Sequence, residues 1–167
     1  MDKKNILKII IVALVVGLVV LICAIVKNQY KNPVDDYYKG LLKSNIKMYS
    51  NAFPDFMGVD KTKSEEDLKQ DLEELKTVFG NKLKIKHKVI SKTAYKKEDL
   101  ELMCKYVEKR YNKKVKISAG YKLEVEEKIS GDKDSYTATI DMYVYKVDGK
   151  WKIIPFAPEN VKEYVQD

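Results

Sequence analysis

The chain has 167 residues, of which 45% are hydrophobic, and its 32 basic and 25 acidic side chains leave a net charge of +7. That excess resembles a nucleic-acid binder, yet the two signs are interleaved over most of the length and Arg110 is the sole arginine, the residue type that bidentate phosphate and guanine contacts use; no nucleic-acid partner is expected. Two cysteines, Cys23 and Cys104, give no disulfide framework, and the sequence has neither a Cys, His or Asp cluster at metal-ligand spacing nor a glycine-rich phosphate loop, so no cofactor is expected.

Residues 1–8, with Lys3, Lys4 and Lys8, read as a short cytoplasmic tail. From Ile9 through Gly17 to Val26 run eighteen residues without a charge. As a helix they would measure roughly 27 Å, close to the ~30 Å hydrocarbon thickness of a bilayer. The expected partner of this segment is therefore the lipid bilayer. The run is longer than the core of about 7 to 15 residues in a cleaved signal, so a retained anchor is expected. Cys23 raises lipidation as an alternative, against which stand Ile22 before it and the apolar residues after it. Lysines flank both ends and do not orient the segment; the size of the C-terminal domain favours a single pass that leaves this domain outside the cytoplasm. Residues 27–31 read as a linker and 32–167 as one extracytoplasmic domain.

Within that domain Asn32, Pro33, Asp35 and Asp36 open a helix. Its apolar positions recur from Val34 to Ala52 at spacings of three and four, and Pro54 stops it. Ser64 and Asp67 resemble a capping box ahead of Leu68, Leu72, Leu75 and Phe79, and Gly80 and Asn81 end that helix. The period then changes. From Lys82 to Ser91, Leu83, Ile85, His87 and Val89 alternate with Lys82, Lys84, Lys86 and Lys88, which predicts a half-buried strand. A third helix is expected over about 95–111. Two alternating strands come next, over 115–129 and 136–145. Asp148-Gly149 then makes a two-residue hairpin turn that pairs Val147 with Lys150 and Val144 with Ile153. Pro155 and Pro158 end the last strand, and 159–165 has room for one short helix.

Helix, helix, strand, helix and three antiparallel strands closing on Tyr145-Lys146-Val147-Asp148-Gly149-Lys150-Trp151-Lys152-Ile153 resemble the nuclear-transport-factor-2-like fold of the cystatin-like group. The resemblance implies an α+β domain with a curved antiparallel sheet packed on three helices. It covers about residues 32–156, carries no catalytic motif across, and fold alone does not license function. Anchored single copies of such domains are common among bacterial surface proteins, and the scaffold subunit of VirB-type conjugation or secretion machines is similar in layout.

Four sets of residues invite a functional reading. His87 lies on the apolar face of its strand, and Glu127 falls out of phase on another; in the resembled fold both would look into a cone where relatives keep an acid or base. A filled cone would make them interior polar residues instead. Lys82, Lys84, Lys86 and Lys88 form a stripe suited to an anionic surface, although lysines on an exposed strand also discourage aggregation. Tyr143, Tyr145 and Ile154 share the outer face of the closing hairpin and offer either a partner face for a second copy or a membrane complex, or a bed for the C-terminal segment. Cys104 sits in an apolar helix stripe and reads as a small hydrophobe. The expectation is a membrane-anchored binding or assembly module without catalysis. The alternatives are a scaffold subunit of a conjugation or secretion apparatus, and a small-molecule site or enzyme around His87.

Overall fold

Proline in a first turn and a pair of aspartates behind it start the first helix where the sequence places it. In the computed structural model, which describes residues 28–166, a 3-10 turn (Gln29–Lys31) leads directly into α1 (Asn32–Leu42). Gln29–Lys31, expected as linker, already belongs to the domain, since Tyr30 packs into its core at 6% exposure. The segment marked by Ile9, Gly17 and Val26, the tail before it and Cys23 lie outside the described residues. Among the described residues no helix is long and apolar enough to cross a membrane.

The helix expected to run unbroken to Ala52 is interrupted. Ser44 takes a positive φ of 46°, and Asn45 caps a new helix, α2 (Ile46–Asn51), its side-chain oxygen accepting the Met48 N–H at 2.9 Å. The apolar spacing resumes after only three residues, so periodicity alone does not reveal the break. It lets α2 fold back against α1 at Gly40, where a Cβ would run into the Tyr49 backbone. A second 3-10 turn (Asp55–Met57) and the single-turn α3 (Val59–Thr62) precede α4 (Glu65–Phe79). The capping box there is complete: Asp67 N–H donates to Ser64 Oγ at 3.1 Å and Ser64 N–H to Asp67 Oδ2 at 2.7 Å.

The strands are β1 (Lys84–Ala94), β2 (Ile117–Ser130), β3 (Ser135–Val147) and β4 (Lys150–Ile153); α5 (Lys97–Tyr111) stands between the first two and α6 (Pro158–Gln166) comes after the last. They form one antiparallel sheet in the order β1-β2-β3-β4. The closing hairpin has the register its turn dictates, Val147 opposite Lys150 and Val144 opposite Ile153, with positive φ at Asp148 and Gly149. Because β4 is only four residues long, the first half of β3 is open on that side, and β1 is the opposite edge.

The fold is thus α+β with a four-stranded antiparallel sheet, carrying six helices among the described residues where three were expected. The helices also take both faces. On the inner face α1, α2 and the entry turn cover Leu123, Val125, Met142, Val144 and Ile153. On the outer face α5 and α6 cover Ile117, Tyr145, Val147 and Ile154. Val144 and Tyr145 are consecutive and point oppositely, so two cores share one sheet. The reason is composition: from Met142 to Tyr145 both phases of β3 are apolar or aromatic, and each needs a cover.

Candidate functional site

The inner face holds the polar constellation that comes nearest to a site. Asp35 and Tyr38 sit three residues apart on α1 and therefore on one side of it. His87 on β1 and Glu127 on β2 are direct cross-strand partners, closer than their separation in sequence suggested. The helix supplies the residues that complete the set. His87 Nε2 lies 2.7 Å from Asp35 Oδ1, and the Tyr38 hydroxyl donates to Glu127 Oε2 at 2.6 Å. The Tyr38 and His87 rings stack with centroids 4.4 Å apart and 14° between planes. Tyr38 is 2% exposed; burial, and then the bond to Glu127, push its hydroxyl far above its ordinary range. The side chains of His87 and Asp35 retain 19% and 43% of their exposure.

A general base needs a free nitrogen or oxygen aimed at space that a substrate can occupy. Here Asp35 holds His87, Tyr38 holds Glu127, and the ring stack fills the space between. Next to them Tyr30, Tyr121, Met142 and Trp151 pack in the same cluster, with Tyr121 stacked on Trp151 at 5.3 Å. The clefts of the domain lie elsewhere. One of about 290 Å³ opens beside the entry turn and the β3–β4 hairpin, between Gln29, Asp36, Asn51 and Trp151. Another, of about 420 Å³, runs between Asp55 and the Lys113–Val115 segment. Neither is lined by His87 or Glu127. Chemically the quartet is a clasp that fixes α1 to β1 and β2, with hydrogen bonds to charged groups worth about 1.5–3 kcal/mol each.

A second polar tie lies at the far side of α1. Lys152, 9% exposed, donates to the Asn51 carbonyl at 2.6 Å, and burial pulls its ammonium below the usual lysine range. Asn51 in turn donates to Asp36 Oδ2 at 2.6 Å, and Ile153 N–H to the Ala52 carbonyl at 2.7 Å. No group of carboxylates, His or Cys among the described residues could hold a metal ion.

The remaining nominated residues are dispersed. Lys84, Lys86 and Lys88 are exposed along the edge formed by β1, and Lys82 is exposed two residues before that strand begins; Lys86 faces Lys128 and Lys88 faces Glu126. The face of Tyr143, Tyr145 and Ile154 is not open to a partner. Tyr145 and Ile154 are fully buried, covered by Met103, Tyr106 and Val107 of α5 and Val161 of α6, and Tyr143 packs at their margin. The Tyr145 hydroxyl donates to the Phe156 carbonyl at 2.8 Å. The C-terminal segment has folded back because Val161 and Val165 give it an apolar stripe of its own. Cys104 is a free, half-buried thiol against that core.

Asp35, Tyr38 and Lys152 do not stand out in the sequence. Asp35 passes as a helix-dipole residue and Tyr38 as one more apolar position. The available signal is Glu127, a carboxylate on an apolar face that has to find a donor. Comparison with family models, with characterised proteins and with solved structures returned no match to this chain.

Proposed function

We propose that this protein is a single-pass membrane protein whose extracytoplasmic domain works by contact and not by catalysis. The observation that carries the reading is the uncharged run of residues 9–26, with Tyr30, only four residues further along the chain, already packed in the core of a folded domain. The pairing of Asp35 with His87 and of Tyr38 with Glu127 supports the non-catalytic half, since each side chain has a polar atom engaged by another member and neither His87 nor Glu127 lines the clefts beside the entry turn and the Lys113–Val115 segment. We also propose that the domain is a relative of the nuclear-transport-factor-2-like and cystatin-like folds. A helix laid across one face of an antiparallel meander supports this. The helices on the second face and the four-stranded sheet depart from the simplest form of that layout.

The test is fractionation of cells making the full chain. The chain is expected to stay with the membrane pellet in alkaline carbonate, and protease added to cells stripped of their wall is expected to remove the domain. Release by carbonate would overturn the tether, and full protection from protease would reverse the orientation.

A further inference from the structure

We infer that the domain does not swing freely on its tether but is seated on phospholipid headgroups through the aromatic and lysine pole around Tyr30; this rests on the membrane-anchored reading above. The apolar run ends at Val26, and four residues later Tyr30 is already packed in the core. Four residues span at most about 14 Å when fully stretched, against a headgroup layer of roughly 5–8 Å on each side of the hydrocarbon. The surroundings of Tyr30 are therefore held at or just above headgroup depth.

Those surroundings have the composition of a membrane-interface belt. Tyr30 meets Tyr121 edge-on at 5.2 Å and Trp151 at 6.3 Å, and Tyr121 stacks on Trp151. Tyr121 and Trp151 are both partly exposed. Lys92 places its ammonium 4.5 Å from the Tyr30 ring centre and 4.9 Å from that of Tyr121, and Lys31 sits 5.8 Å from Tyr30. Lys150, exposed, comes directly after the hairpin turn and lines the same cleft as Gln29 and Trp151. Asp148 in that turn is engaged by the Lys116 N–H at 2.9 Å. Tyrosine and tryptophan rings favour the boundary between hydrocarbon and water, and lysines there attract anionic lipid.

The same geometry separates this pole from the lysine stripe of β1. Lys88, the nearest of the stripe, lies four residues up the strand from Lys92 and Lys84 eight, about 13 Å and about 26 Å at 3.3 Å per residue. Screening reduces attraction beyond ~8 Å at physiological salt. The lysines that read the membrane are then Lys31, Lys92 and Lys150, and the stripe of Lys84, Lys86 and Lys88 serves as an internal control.

Trp151 is the sole tryptophan, so its emission reports the pole without labelling. The full chain would be reconstituted into vesicles of phosphatidylcholine and phosphatidylglycerol carrying a headgroup spin-labelled phosphatidylcholine, recovered by flotation, and its Trp151 quenching measured. Strong quenching is expected. Charge reversal at the pole (K31E, K92E and K150E together) is expected to relieve it, the seated-to-lifted ratio falling by about fivefold for each lysine lost. Reversal along the stripe (K84E, K86E and K88E) is expected to leave it unchanged, with near-ultraviolet circular dichroism confirming that both variants fold. A chain that floats but is not quenched overturns the seating while leaving the tether intact. Quenching relieved by the stripe variant and not by the pole variant also overturns it, because the edge would then be the contact. A chain that does not float refutes the membrane anchor itself.

Discussion

The two faces of the sheet are held by different chemistry. On the inner face, α1 and α2 are fixed by a mixture of rings and polar ties: Asp35 to His87, Tyr38 to Glu127, and Lys152 to Asn51. On the outer face, α5 and α6 rest on Met103, Tyr106, Val107, Tyr145, Ile154 and Val161. The principal buried polar contact there is Tyr145 to the Phe156 carbonyl, and the Tyr95 hydroxyl is buried beside the Tyr145 hydroxyl without a well-formed hydrogen bond of its own. Apolar burial is non-directional and tolerates small shifts. Satisfied polar pairs accept one geometry. The outer face accordingly supplies mainly cohesion, while the inner face also fixes where α1 must lie.

Alkali tests both faces at once and should have the largest effect. Burial and the neighbouring Tyr49 hydroxyl push Tyr37 on the inner face up to about 12, and burial does the same for Tyr106 on the outer face. These groups keep their protons longer in the folded chain than in the unfolded one. Their contribution is therefore complete below the ordinary value of 10.0 and is lost as pH rises from there towards about 12. The tyrosinate absorbance at ~295 nm that belongs to the buried rings, as distinct from exposed ones such as Tyr136 and Tyr164, is expected to appear in one cooperative step together with loss of the folded circular dichroism signal. Gradual titration of the buried rings in an intact fold would show that neither core excludes solvent.

Truncation of the outer core comes next. Tyr145→Ala removes a fully buried ring and should lower stability by about 4 kcal/mol, with α6 becoming the first segment to exchange amide hydrogens. If exchange rises equally in α1, the two cores open as one cooperative unit and their different chemistry does not separate them. Tyr38→Phe tests the clasp without removing apolar surface. It leaves Glu127 without its donor and should cost about 2 kcal/mol, with hydrogen exchange rising in α1 and not in α6. The smallest change is Tyr95→Phe, which deletes the orphan hydroxyl. Thermal melts should show it to be neutral or stabilising by up to about 1 kcal/mol; a clear loss would mean that this hydroxyl is bonded in solution.

Much of this arrangement was legible residue by residue. The capping box at Ser64 and Asp67, the alternation of β1 and the register of the closing hairpin depend on neighbours within a few positions, and they stand where the sequence put them. The break at Ser44 was hidden because the apolar phase continues across it. Glu127 was visible as an anomaly, but its donor, Tyr38, lies 89 residues away. His87 could be placed on the inner side of its strand, yet Asp35 is 52 residues from it and looked like an ordinary first-turn acid. The aromatic face of the last hairpin was equally ambiguous, since a chain that can cover its own tyrosines has the same local pattern as one that leaves them for a partner.

By itself, then, the sequence determined the uncharged stretch of residues 9–26, the class of the domain, the alternation of its strands and the turn that closes them, because hydrophobic period and turn chemistry act over a handful of bonds. Only the tertiary structure decided that helices occupy both sides of the sheet, that α6 seals Tyr145 and Ile154, and that Asp35, Tyr38, His87 and Glu127 form one clasp. Those outcomes depend on which distant segments reach the same few ångströms, and side-chain patterning specifies that a surface must be buried without specifying by what.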